Sequence, residues 1–104
     1  MQFIVTGLDG KDQGALDRRM AAREDHLAMA KTMADTGKWL YAAAILDDDG
    51  KMIGSVIICE FESKEELKAQ WLDREPYVLG KVWETVEITR GQVPPLFSGA
   101  GTAG

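Results

Sequence analysis

A chain of 104 residues, 45% apolar and 28% charged, has the size and composition of one soluble globular domain, because two halves would each be too small to hold a core. Its formal net charge of −5 speaks against nucleic acid or a membrane surface as the main partner, since both recruit basic surfaces. A small anionic ligand held by a few local arginines stays open. The single cysteine, Cys59, excludes a disulfide framework within the chain. Paired Cys/His spacing is absent, so no metal site is expected and a reducing, cytoplasmic setting is. The N-terminus M-Q-F-I-V-T-G-L-D lacks the charged and long apolar regions of a signal peptide.

In chain order, Gln2 to Leu8 is apolar, partly β-branched and closed by L-D-G-K-D; it predicts a strand and a loop. From Gly14 to Thr36 the period becomes helical. Leu16, Met20, Leu27, Ala30 and Ala34 fall on one side and Asp17, Glu24, Lys31 and Asp35 opposite, with Gly37 as the stop. Lys38–Leu46 and Lys51–Phe61 predict two strands, joined by a hairpin with Asp49-Gly50 as the turn pair. In S-K-E-E, Ser63 caps a second helix with Glu66 three residues on. Leu67 and Trp71 sit one turn apart on it, and Pro76 ends it near Arg74. Val82 to Thr89 alternates as a last strand, with Val82, Val86 and Ile88 on one face and Trp83, Thr85 and Glu87 on the other.

The order β-α-β-β-α-β predicts an α+β fold of the ferredoxin-like kind, with both helices on one face of an antiparallel sheet. Residues 1–91 form the domain and 92–104 a tail that is mobile or packs on a partner. The two central strands are apolar in both alternating sets, including Trp39, Tyr41, Ala43 and Ile45 against Leu40, Ala42, Ala44 and Leu46. Two helices cover only one sheet face, so the other should meet something apolar. A second copy of the chain is the simplest partner, giving a homodimer that can associate further.

The helix R-M-A-A-R-E-D-H-L holds the chemistry. Arg19, Arg23 and His26 recur at i, i+4 and i+7 and form one row. That row overlaps the apolar stripe, with Arg23 near its centre and Arg19 and His26 at its edge. A guanidinium there needs a carboxylate, carbonyls or a ligand anion. Asp73 and Glu75 bracket the end of the second helix in L-D-R-E-P-Y, and either can reach a histidine on the first. Imidazole and carboxylate together are the minimum for general acid–base work. Ser55 interrupts an apolar strand next to Gly54, which leaves room above the sheet, and Tyr41 on the neighbouring strand can point into that space. Each has a plainer explanation: a structural ion pair, a histidine at a helix edge, a small residue beneath a helix, a solvated helix end. Cys59, beside Glu60 rather than a cation, has the setting of an inert buried thiol. No nucleophile elbow surrounds Ser55 and no phosphate loop is present.

Three segments in this order, R-M-A-A-R-E-D-H-L, G-S-V-I-I-C-E-F-E-S and E-P-Y-V-L-G-K-V-W-E-T-V-E-I, resemble the YciI-like proteins, the YCII-related domain, from Met1 to about Arg90. The resemblance implies a dimeric α/β barrel of two ferredoxin-like sheets and a histidine–aspartate acid–base pair in a pocket. His26 matches the histidine, and Arg19 and Arg23 match the arginines before it. The usual Asp-Pro-Tyr is Glu75-Pro76-Tyr77 here, a carboxylate arm longer by one methylene.

The expected function is that of a small-molecule enzyme of lyase, dehydrochlorinase or isomerase type. His26 and Glu75 would be catalytic, Arg19, Arg23, Ser55 and Tyr41 would bind a small anionic substrate, and no cofactor would be needed. The alternative is a metabolite-binding or regulatory module on the same fold, with the arginines as its clamp.

Overall fold

The computed structural model describes residues 1–97. Strand β1 (Gln2–Asp9) is followed by helix α1 (Ala15–Asp35), strands β2 (Trp39–Leu46) and β3 (Met52–Glu60), and helix α2 (Lys64–Gln70). A 3-10 turn (Leu72–Arg74), a one-turn helix α3 (Pro76–Leu79) and strand β4 (Trp83–Gly91) complete it. The sheet order is β2-β3-β1-β4 with every pair antiparallel, the ferredoxin-like arrangement expected from the element order.

Local chemistry sets most boundaries. Gly37, at φ +78°, ends α1. Its N–H donates to the Ala34 carbonyl (3.1 Å) and the Lys38 N–H to that of Met33 (2.8 Å), the paired bonds of a Schellman stop. Ser63 Oγ accepts the Glu66 N–H at 3.1 Å and starts α2. The β2–β3 turn pivots on Asp47 rather than on an Asp49-Gly50 pair. The Asp47 carbonyl accepts from Gly50 and its side chain from the Asp49 and Lys51 N–H groups, while only Gly50 takes positive φ.

The second helix stops at Gln70, not near Arg74, and the chain forms an additional short helix. Glu75 caps it and Pro76 fills its first position, a use of proline that a reading of Pro76 as a breaker passes over.

Phe3, Val5, Ile57 and Cys59 point from the sheet towards the helices and pack with Trp39, Phe61, Leu67, Trp71, Tyr77 and Trp83 into one core. Three register shifts, at Trp39/Tyr41, Ile45/Leu46 and Leu8/Asp9, interrupt the strand pairing, and two of them decide which side chains face the core. Between Trp39 and Tyr41 the β2–β3 register shifts. Trp39 therefore faces the helices, whereas Tyr41 turns to the outer face and is 54% exposed. Between Leu8 and Asp9 the β1–β4 register shifts, so Trp83 pairs with Asp9. Its ring lies over Gly7, where any Cβ would come within 2.3 Å of it. Trp83 thus joins the helix face, not the face opposite Val86 and Ile88. One extra residue at such a point inverts every side chain beyond it.

Helix α1 is also turned from expectation. Its buried residues are Ala15, Arg19 and His26, with Ala22, Met29, Met33 and, from the expected stripe, Ala30 beside them against the core. Met20 and Leu27, placed on the apolar stripe, are exposed. At 100° per residue the two rows differ by about 100°. The partners of Arg19 and His26 are the reason, and they lie in the sheet and on the α2–α3 connection.

On the outer face Ile4, Leu8 and Tyr41 remain exposed. The Val93 N–H donates to Gln2 Oε1 at 2.6 Å. Val93, Pro94 and Phe97 then border an apolar hollow of about 330 Å³ with Ile4, Tyr41 and Ile58. The remainder of the expected tail, 98–104, lies outside the described residues. No helix among those described is long and apolar enough to cross a membrane.

Candidate active site

His26 is 8% exposed. Its Nδ1 lies 2.7 Å from Glu75 Oε2, and Glu75 has no exposed surface. The same Oε2 accepts the Tyr77 N–H at 2.9 Å, which is the cap of α3. Oε1 accepts the Trp71 indole N–H at 2.9 Å. Trp71 and Tyr77 can only donate in these contacts, and such a set suits a carboxylate, which only accepts. Nδ1 then carries the ring proton to Glu75 and Nε2 is left unprotonated in the neutral ring. One side chain thereby starts a helix, ties down the last residue of α2's C-cap and orients the imidazole. Asp73, the other candidate carboxylate, is exposed on the 3-10 turn and makes no such contact.

The Tyr77 ring stacks on the imidazole, with centroids 3.9 Å apart and planes 10° from parallel. The Arg19 guanidinium carbon lies 4.7 Å from the centre of the same ring. A stacked imidazole leaves no room on its own side, so the guanidinium takes the other face.

Arg19 is 2% exposed and heavily committed. Nη1 donates to both oxygens of Asp9 (2.9 and 3.1 Å), and Nη2 to the Gly54 carbonyl (3.0 Å) and Ser55 Oγ (2.8 Å). Burial pushes the Asp9 carboxyl above its ordinary range, and the charge and hydrogen bonds of Arg19 pull it back. Arg19 thereby joins α1 to β1 and β3, and it also lines the cavity that His26 borders. Ser55 lies at the inner end of this network.

A cavity of about 200 Å³ opens between α1 and the β2–β3 side of the sheet. His26, Tyr77, Ser55 and Trp39 contribute to its wall, and Ala42 and Ala44 provide the space. The room does not come from Gly54, whose missing side chain would point to the outer face, against Leu8 and Ile45. Arg23 stands at the rim, exposed, with no ion pair or hydrogen bond within the described residues. Tyr41 does not reach the cavity and borders the hollow on the opposite sheet face. Among the described residues the indole N–H groups of Trp39 and Trp83 and the Nε–H of Arg19 are enclosed without a partner. Burial pushes the Cys59 thiol up to about 12, which leaves it without nucleophilic character at neutral pH. No cluster of metal-ligating side chains occurs among the described residues.

Sequence reasoning brings His26, Glu75, Arg23 and Ser55 to one place and misses Asp9, Trp71 and the stacking role of Tyr77. Asp9 carried a signal. It is in phase with Phe3, Val5 and Gly7, so a carboxylate on the core side of a strand called for a buried cation. Trp71 and Glu75 are four residues apart, within reach across one turn.

Fold and site together define a ferredoxin-like domain with a buried imidazole–carboxylate pair in the wall of a small cavity. The chain matches the YCII-related domain over residues 1–92 and belongs to that family. Protein YciI of Escherichia coli O6:H1 is 35% identical over 94 residues, covering 85% of this chain and 93% of the relative; that of Shigella flexneri gives the same values. An uncharacterized protein of Haemophilus influenzae is 32% identical over the same shares. Among solved structures, 5-chloro-2-hydroxyhydroquinone dehydrochlorinase of Burkholderia phenoliruptrix AC1100, in complex with 2,5-dihydroxybenzoquinone, superposes with a TM-score of 0.76. It is 23% identical, covering 90% of this chain and 96% of that one, and so supports the fold.

Proposed function

We propose that this protein is a small-molecule enzyme in which His26 moves a proton to and from a small anionic substrate in the cavity beside it. One observation carries the reading: a fully buried carboxylate, held by two other donors, fixes Nδ1 of an imidazole at 2.7 Å in the wall of a cavity. Nε2 is then the nitrogen left for chemistry, with its lone pair in place before the substrate arrives. Arg23, uncommitted at the rim, supplies the attraction for an anion. Ser55 is a polar contact at the cavity floor, and Arg19 holds the floor in place. Elimination and isomerisation both need only such proton transfers, and the dehydrochlorinase that shares the fold fits the first of them.

The test is turnover of 5-chloro-2-hydroxyhydroquinone and related small cyclic enols by wild type and His26→Ala, with folding monitored. General acid–base catalysis contributes typically 10²–10⁴-fold, so the variant should lose about that much rate on whichever substrate wild type converts. Equal rates would remove His26 from the chemistry and favour a binding module.

The exposed apolar outer face, Ile4, Leu8 and Tyr41 with the residue 92–97 segment alongside, supports a homodimer formed through that face in the cytoplasm. Light scattering at micromolar concentration should give twice the chain mass. A stable single chain would remove the dimer and leave the helix-side cavity untouched.

A further inference from the structure

The cavity wall contains a second polar group that the His26–Glu75 pair does not use. Tyr77 is 2% exposed, and everything that positions it acts on its ring or backbone. The imidazole covers one face of the ring, Arg19 the other, Trp83 meets it edge-on at 5.7 Å, and the N–H is bound by Glu75. A phenylalanine would make every one of these contacts. The hydroxyl makes no hydrogen bond among the described residues, although a buried tyrosine ordinarily satisfies its O–H. It is not sealed in, unlike the orphan indole N–H groups of Trp39 and Trp83, and Tyr77 lines the cavity. A positioned and unpartnered donor at a cavity wall is what a ligand contact looks like before the ligand arrives.

We propose that the Tyr77 hydroxyl is a catalytic group that donates a hydrogen bond to a substrate oxygen on which charge develops as His26 takes the proton. This rests on the reading of His26 as the base and takes its substrate from that reading: a small, planar carbonyl or enol compound carrying an anionic oxygen. The space, equivalent to roughly seven waters of liquid, admits a single ring. His26 Nε2 accepts a proton from the carbon next to the carbonyl, and the electron pair of that C–H bond moves to the carbonyl oxygen, giving an enolate. Tyr77 donates to that oxygen, and Arg23 lies near enough to stabilise it. The proton then returns from Nε2 to a different carbon, or the pair expels a leaving anion. Neither route takes up an oxidant or reductant. Burial pushes the Tyr77 phenol above its ordinary value, against the pull of Arg19 and Arg23, so it remains a donor at neutral pH.

The experiment titrates 2,5-dihydroxybenzoquinone, a planar anion with carbonyl and enol oxygens, into wild type, Tyr77→Phe and His26→Ala, following its visible absorbance. Tyr77→Phe should keep the wild-type unfolding midpoint within error, because the hydroxyl bonds nothing in the free protein, and should bind about 10- to 100-fold more weakly, the usual effect of one hydrogen bond to a charged group. Weakened binding by His26→Ala alone, with Tyr77→Phe equal to wild type, overturns the role of the hydroxyl and leaves the base in place. Wild-type affinity in both variants overturns both. A wild-type protein that does not bind the probe at millimolar concentration overturns the substrate class. A Tyr77→Phe protein that unfolds measurably earlier shows the hydroxyl serving structure and overturns the proposal as well.

Discussion

Replacing Arg19 with methionine should cost the fold about 3–5 kcal/mol, the usual penalty for breaking a buried ion pair on one side only. Asp9 is 7% exposed, and among the described residues Arg19 is its one cationic hydrogen-bond partner, bonded to both oxygens. Without the guanidinium the carboxylate faces the core, and the Gly54 carbonyl and Ser55 hydroxyl lose their donor. Methionine fills a similar volume, so the loss is electrostatic and not a cavity effect. Urea unfolding at pH 7 and pH 5 measures it. Burial already pushes Asp9 upward, and removing Arg19 takes away the opposing pull. An acid whose folded-state value is raised contributes stability below its unfolded value and loses it as pH rises. The deficit of Arg19→Met should therefore be smaller at pH 5 than at pH 7. The double variant Asp9→Leu/Arg19→Met should recover most of the loss, because an apolar pair of similar volume replaces the ion pair at little net cost. A single variant within 1 kcal/mol of wild type would contradict the buried network.

Glu75→Ala should have a comparable effect on stability, at least about 3 kcal/mol, since hydrogen bonds to a charged group contribute about 1.5–3 kcal/mol each and stranded buried donors add to the loss. Trp71 Nε1, Tyr77 N and His26 Nδ1 all lose their acceptor, and α3 loses its cap. Glu75→Gln separates the two duties. The amide keeps the shape and one acceptor oxygen, so the fold should hold better than in the alanine variant. Its NH₂ group, however, must face one of the former donors, and the imidazole loses the contact that fixes its tautomer. Turnover by a well-folded Glu75→Gln protein should then fall towards that of His26→Ala. Chemical denaturation and steady-state rates measure the two parts, and a Glu75→Ala protein as stable as wild type would contradict the assignment.

The elements of the fold were legible because their signals are local. Ser63 bonds a backbone N–H three residues on, Gly37 takes the left-handed conformation that a helix stop needs, and the strands show continuous apolar runs. The site was legible in part. His26 stood out by its place on the helix row, with Asp73 and Glu75 as carboxylates able to reach it; the family resemblance chose Glu75, since 49 residues separate it from His26 and no spacing rule joins them. Arg23 was expected near the centre of the buried stripe, and its place is the exposed rim of the cavity.

What the sequence by itself determined is the order and kind of its elements, their caps, and the excess of apolar surface on β2 and β3, of which the sheet order places β2 at the edge. The tertiary structure decided which side of each element faces the core. Of three register shifts, those at Trp39/Tyr41 and Leu8/Asp9 send Tyr41 outward and bring Trp83 inward, because a strand alternates with period 2 and one added residue inverts it. Helix α1 settles about a quarter turn from its apolar stripe because Asp9, Ser55 and Glu75 wait on the facing surfaces. An arginine whose two terminal nitrogens are bonded and a histidine bonded to a carboxylate can be buried where methionine and leucine were expected, since those hydrogen bonds offset much of the desolvation. Those partners are distant in sequence, so only the folded chain brings them to Arg19 and His26.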